Sequence, residues 1–99
     1  MSNKGMFTRY KFIKRLYPSC LVIIKSNDKY KSFRKDGILL NYILDKYKIN
    51  KLSKFKINYV IIENLDIIDE KKFEENKYYK FIKEAYLSMV LIEIKNRLK

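Results

Sequence analysis

Four stretches of the chain alternate cations with aromatic rings: Arg9-Tyr10-Lys11-Phe12, Lys29-Tyr30-Lys31 running on to Phe33-Arg34-Lys35, Lys46-Tyr47-Lys48, and Lys54-Phe55-Lys56. Lys and Arg position phosphate oxygens, and an exposed Tyr or Phe stacks on an unpaired base for about 1–3 kcal/mol. That chemistry is recognition of nucleic acid rather than turnover. Rings of this kind are also what a small fold needs inside, and Phe33, Tyr47 and Phe55 are expected in the core, leaving their basic neighbours in solvent. The candidate phosphate contacts are therefore Arg9, Lys11, Lys14, Arg15, Lys25, Lys29, Lys31, Arg34, Lys35, Lys51, Lys54, Lys56, Lys77 and Lys80.

Other chemistries find little support. With no His in the chain, the commonest general base and metal ligand is missing. Cys20 stands alone ahead of Leu21-Val22-Ile23-Ile24 and reads as a small buried hydrophobe, neither half of a disulfide nor a zinc ligand. Glu63, Asp66, Asp69 and Glu70 form an acidic cluster of the sort that holds hard cations, but no glycine turns the loop and no second carboxylate group faces it. A solvated turn and helix N-terminus is the better reading of that cluster. Gly5 and Gly37 are too far apart for a phosphate-cradling loop. No catalytic residue, metal, cofactor or small-molecule substrate is expected.

The charge supports recognition of a polyanion. Of 23 basic and 11 acidic residues, 15 and 3 lie within 1–56, which carries the whole net charge of +12, while 57–99 is neutral. A field of that density attracts phosphate backbones through counterion release. An anionic membrane surface is the other charge-led partner, but no apolar run approaches the ~18 residues that span a bilayer. Phe, Ile, Lys, Asn and Tyr supply 56 of the 99 residues, the types an A+T-rich genome encodes most readily, so an organellar, parasite or viral gene is expected.

The elements that would position these residues can be read from spacing. At 99 residues, 47% of them hydrophobic, the chain has apolar surface enough for one folded domain. Residues 1–18 read as a basic N-terminal extension, either an RNA-contacting tail or a transit peptide. Within 19–99, Cys20 to Lys25 reads as a strand, with Ser26-Asn27-Asp28 capping a helix that carries Leu39, Leu40, Ile43, Leu44 and Tyr47. Ile49 to Glu63 suggests two strands or one bent one. Phe73, Phe81, Ile82, Ala85 and Tyr86 share the face of a second helix, and Met89 to Ile94 closes as a strand. The order β-α-β-β-α-β predicts an α+β, ferredoxin-like two-layer sandwich with helices over one face of the sheet.

Over residues 20–82 the chain resembles the S-ten family of small-subunit ribosomal proteins. Ile24-Lys25-Ser26-Asn27-Asp28 is similar to that family's K-x-x-D motif, Tyr59-Val60-Ile61-Ile62 to its aromatic strand, and Phe73-Glu74-Glu75-Asn76-Lys77-Tyr78-Tyr79-Lys80-Phe81-Ile82 to its late F-E-x-R-T-H-K-R-L-I segment. The family's G-P-x-x-L-P turn and S-P-H are missing, and Asn76 and Tyr78 stand in place of its Arg and His. Ile49-Asn50-Lys51-Leu52-Ser53-Lys54, Tyr59-Val60-Ile61 and Ser88-Met89-Val90 resemble the S-six ribosomal family instead. Tyr17-Pro18, an apolar strand, then Tyr30 and Phe33 resemble the N-terminal domain of MutS mismatch-repair proteins.

The resemblances imply a structural constituent of a mitochondrial small ribosomal subunit, placed in its head, binding rRNA by charge and shape. Neighbouring ribosomal proteins would meet the neutral second half. The alternatives are an accessory subunit of another organellar or viral assembly, or a MutS-like nucleic-acid-binding module.

Overall fold

Two apolar runs make the centre of the molecule. In the computed structural model, which describes residues 3–98 apart from the side chains of Asn3, Asn50 and Lys51, strands β1 (Leu21–Ser26) and β3 (Tyr59–Glu63) lie side by side and parallel, Leu21 opposite Tyr59 and Ile24 opposite Ile62. Each forms a hairpin with a short antiparallel neighbour, β2 (Lys29–Lys31) and β4 (Asp66–Lys71), giving the sheet order β2-β1-β3-β4. Asn27 and Asn64 each take a φ of 57° in the two-residue turns. Asn enters that left-handed region more readily than other residues with a Cβ.

Three helices complete the fold: α1 (Asn3–Leu16), α2 (Arg34–Lys46) and α3 (Tyr78–Arg97), with a 3₁₀ helix at Ile49–Phe55. Side chains alternate across the sheet. Leu21, Ile23, Tyr59 and Ile61 pack with Leu39, Leu40 and Ile43 of α2 and Ile82 and Ala85 of α3. Val22, Ile24, Val60 and Ile62 point the other way, onto Tyr10 and Ile13 of α1. A strand covered on both faces has no polar side to show, which is why β1 and β3 read as unbroken apolar runs.

The α+β reading holds as a mixed four-stranded sheet with three helices, but several expected elements differ. Helices cover both faces rather than one, so there are three layers. The ferredoxin-like order β-α-β-β-α-β is replaced by α-β-β-α-β-β-α, and the crossover between the adjacent parallel strands β1 and β3 runs through β2 and α2. Residues 3–16, read as part of an extension, form α1: Met6, Tyr10 and Ile13 recur at helical spacing, and Pro18 stops the helix because the residue before proline avoids the α region.

Ser26-Asn27-Asp28 turns a hairpin instead of capping a helix, and α2 starts later, at Arg34. The stretch Ile49–Phe55 is 3₁₀ rather than strand. Met89 to Ile94, expected as a closing strand, continues α3, because nothing between Tyr78 and Arg97 is Gly or Pro. The acidic stretch forms the solvent-exposed edge strand β4, where charge discourages pairing with another chain.

Gly37 has a packing reason. A Cβ there would sit 3.1 Å from the Ser32 carbonyl oxygen. That close approach lets the short link from β2 fold straight into α2, and the link builds the site.

Candidate nucleic-acid interface

The site begins where a strand ladder stops. β2 pairs with β1 only as far as Lys31 opposite Ile24, leaving the Val22 backbone groups beyond its end. Side chains from the β2–α2 link complete the ladder. The Ser32 hydroxyl donates to the Val22 carbonyl, and the Val22 N–H donates to Asp36 Oδ2 at 3.2 Å.

Asp36 is 0% exposed, and an unpaired carboxylate there would cost several kcal/mol. Four donors from three elements meet it. Besides Val22, the Tyr10 hydroxyl of α1 donates at 3.0 Å, the Tyr78 hydroxyl of α3 donates to Oδ1, and Lys14 Nζ lies 2.9 Å from Oδ2. Lys14 also donates to the Cys20 carbonyl at 2.6 Å and to the Tyr78 hydroxyl at 2.9 Å, so its three protons are committed inside the protein. Asn76 sets the start of α3, accepting from the Tyr78 N–H at 3.1 Å and the Asn58 N–H at 2.9 Å while donating to the Ser19 carbonyl at 2.8 Å.

Desolvation first, and then the Asp36 carboxylate, pushes the Tyr10 phenol up; Tyr78 is raised by burial and by its hydrogen bond to Asp36. Both phenols stay protonated donors at neutral pH. The cluster is thus a neutralised pair, held by tyrosines, that pins α1, α2, α3 and β1 together.

In front of it opens a cleft of about 730 Å³ lined by Tyr10, Lys11, Lys14, Arg15, Pro18, Arg34, Lys35, Ile38, Tyr78, Tyr79 and Tyr86. Among these described lining residues none is acidic. Since Lys14 and Asp36 offset each other behind the wall, the unspent charge belongs to Lys11 and Arg15 on α1 and to Arg34 and Lys35 at the start of α2. Phe7 holds two of these cations close together, with Lys11 Nζ 4.9 Å and the Arg34 guanidinium 5.0 Å from its ring centroid. Arg34 has a φ of 54°, a strained value for a residue with a Cβ, as the chain swings from the link into α2. Tyr79 is 60% exposed at the cleft's edge and presents a ring that makes a 5.0 Å edge contact with Tyr78.

No family model, curated protein or solved structure matches the chain. The surface chemistry is therefore what bears on function.

Of the fourteen cations expected at phosphate, the fold brings Lys11, Lys14, Arg15, Arg34 and Lys35 to the cleft, though Lys14 faces inward. Lys31 and Lys29 extend this basic surface along β2: Lys31 lies 5.4 Å from the Phe33 ring, itself 5.2 Å from Phe7. Lys25 sits half-buried on β1 opposite Tyr30 and is not among the cleft residues. Arg9 leaves α1 on the flank opposite Lys11, being two residues and therefore about 200° round the helix from it, and its Nη1 is buried without a hydrogen-bond partner.

Lys54, Lys56, Lys77 and Lys80 form a separate group around the 3₁₀ helix and the start of α3, where Phe55 and Phe81 pack 5.4 Å apart and Lys80 lies 5.7 Å from Phe81. The side chain of Lys51 lies outside the described residues. Phe33 and Phe55 pack against the core as expected, whereas Tyr47 is 46% exposed and sets its ring edge-on to Phe55 at 4.8 Å. Cys20 is buried with a free thiol whose pKa burial raises. The acids of β4 make no metal site: among the described residues no three His, Cys, Asp or Glu side chains gather for one, and Asp69 accepts from the Tyr59 hydroxyl at 3.0 Å. No helix among the described residues is long and apolar enough to cross a membrane.

Sequence reasoning missed Asp36, Tyr10 and Tyr78 as a unit. One signal was present: an acid two residues before the apolar run Ile38-Leu39-Leu40. Its partners, 26 and 42 positions away, left no local pattern.

Proposed function

We propose that the chain is a structural RNA-binding domain, not a catalyst, that holds a looped or single-stranded segment in the cleft between α1 and α2. Backbone phosphates lie against Lys11, Arg15, Arg34 and Lys35, and an unpaired base stacks on Tyr79. The observation that carries this reading is the convergence of four uncompensated cations with exposed tyrosine in one cleft lined by no acid. Phosphate contacts of this kind supply affinity and register rather than sequence choice.

In its specific form the proposal is a small-subunit ribosomal protein of mitochondria, contacting rRNA through the cations of residues 1–56 together with Tyr79, and neighbouring ribosomal proteins through the rest of the neutral second half. The S-ten resemblance over residues 20–82 motivates that placement, although the order of elements differs from the ferredoxin-like one the resemblance implies. A second reading, a MutS-like module acting on DNA, is favoured by one observation: Tyr17, β1, Tyr30 and Phe33 belong to the same continuous α1–β1–β2–α2 block that supplies the cleft cations.

Competition between a labelled RNA loop and a mismatched DNA duplex separates the two. The ribosomal proposal expects RNA to win and the tagged chain to co-sediment with small subunits after detergent treatment in a salt-sensitive manner. Preference for the mismatched duplex favours the second reading, and salt-insensitive association or none overturns the first.

A further inference from the structure

Two tyrosines of α3 line the basic cleft, and a single stacked base occupies only one of them. Tyr79 and Tyr86 are seven residues apart, within about 20° of two full turns, so they stand one above the other on the same side of the helix, about 10.5 Å apart along its axis. Tyr79 is exposed at the rim. Tyr86 is half-buried and packs against the core while it lines the cleft, so its ring is fixed before any ligand arrives. Lys83 falls between them, four residues after Tyr79 and three before Tyr86, and its exposed side chain marks the outer lip of the same stripe.

The charge comes from the other helices, with Lys11 and Arg15 on α1 and Arg34 and Lys35 on α2. Cations that follow a backbone beside rings spaced for successive bases make the groove of a single-strand binder. The spacing sets the length of strand. Stacked bases succeed one another at about 3.4 Å, so a separation of about 10.5 Å is about three base steps, and a strand that reaches both rings spans about four nucleotides. At about 730 Å³ the cleft is also larger than one base takes up, lying in the upper part of the range of pockets that bury a whole small ligand.

Resting on the nucleic-acid reading of this cleft, we infer that α3 carries a two-base platform. Tyr86 is a second stacking residue, Lys83 takes a phosphate lying between the two stacked bases, and the ligand is a run of about four unpaired nucleotides rather than one extruded base. A duplex shows an open base face only at its ends, so it cannot reach both tyrosines.

Oligouridylates from dinucleotide to octanucleotide, competed against a labelled octanucleotide in fluorescence anisotropy, test the platform. For the wild-type chain, affinity is expected to climb with each added nucleotide up to about four and then by less than about twofold per nucleotide. Tyr86→Leu keeps an apolar side chain against the core but offers no ring. It is expected to lose about 5- to 150-fold on the octanucleotide and less than about twofold on the dinucleotide, which still has Tyr79. Lys83→Gln is expected to lower the log–log salt slope on the octanucleotide by about 0.7. Comparing two lengths within one variant separates lost stacking from lost folding, which would weaken both alike. A wild-type affinity that stops climbing at the dinucleotide overturns the platform, as does a Tyr86→Leu loss that is absent or equal at both lengths. An unchanged slope for Lys83→Gln overturns the role given to that residue. If the platform fails while Tyr79 and the four cleft cations still govern binding, the proposed function stands without it; if no oligonucleotide binds the wild-type chain, both fall.

Discussion

Replacing Asp36 with Ala removes one carboxylate and strands four donors. Lys14 keeps only the Cys20 carbonyl and the Tyr78 oxygen, the Val22 N–H has no acceptor, and two buried phenols lose theirs. Breaking a buried ion pair from one side costs about 3–5 kcal/mol, chiefly because the surviving charge remains buried. Lys14 is 22% exposed and can find some water, so the lower part of that range is expected, about 3 kcal/mol.

Against a total of about 5–15 kcal/mol for a domain of this size, that is a large share, equivalent to a fall of roughly 12–24 °C in Tm. Urea melts followed by far-UV circular dichroism, with tyrosine fluorescence as the second probe, measure it. Lys14→Met in the Asp36→Ala background removes the stranded cation and is expected to restore at least about 1 kcal/mol, appearing as coupling in a double-mutant cycle. A loss below about 1 kcal/mol for Asp36→Ala, or strictly additive effects of the two changes, would refute the role given to this cluster.

The raised phenols give a pH prediction: in the folded state Tyr10 and Tyr78 hold their protons above the unfolded value near 10, so their contribution is fully present below about pH 10 and is lost as pH rises beyond it. Each adds a slope of about 1.4 kcal/mol per pH unit to alkaline destabilisation, and Tyr10→Phe should lessen that slope in melts between pH 9 and 11, set against about 1 kcal/mol lost at pH 7. Tyr79→Ala should weaken binding of a single-stranded oligonucleotide by about 1–3 kcal/mol in fluorescence anisotropy while leaving the melting curve within about 0.5 kcal/mol. Lys56, held at φ 55° where the 3₁₀ helix ends, should accept Gly with a gain of up to about 1 kcal/mol, read by the same urea melts.

Much of the core was legible because it rests on local pattern. The two apolar strands are where β-branched runs placed them, and Leu39, Leu40 and Ile43 lie on a buried helical face. What escaped was set by tertiary context. Three-residue β2 is too short to alternate visibly, and its turn, Asn27-Asp28, carries the same residue types that cap helices. The β-branched stretch at Val90 to Ile94 favours a strand locally, but it continues a helix already begun at Tyr78. α1 was hidden by its charge: the cations of residues 1–15 suggested a tail, while the burial of Tyr10 and Ile13 depends on a sheet formed later in the chain.

The site divides similarly. Lys11, Arg15, Arg34 and Lys35 were identifiable as cations from the sequence, but not which of the fourteen converge. Lys14 shows why. It shares a helix and a charge with its neighbours, yet its position one turn from Tyr10 faces it inward to Asp36.

The most direct measurement of the central claim is the salt dependence of RNA binding in wild type and two charge-removed variants, by fluorescence anisotropy. Each phosphate contact contributes about 0.7 to the log–log slope on a single strand, so replacing Lys11, Arg15, Arg34 and Lys35 together with Gln should flatten it by about 3. Replacing Lys54, Lys77 and Lys80 with Gln should alter it by less than about 1. An unchanged slope in the cleft variant, or an equal change in both, would contradict the assignment of the cleft as the nucleic-acid interface.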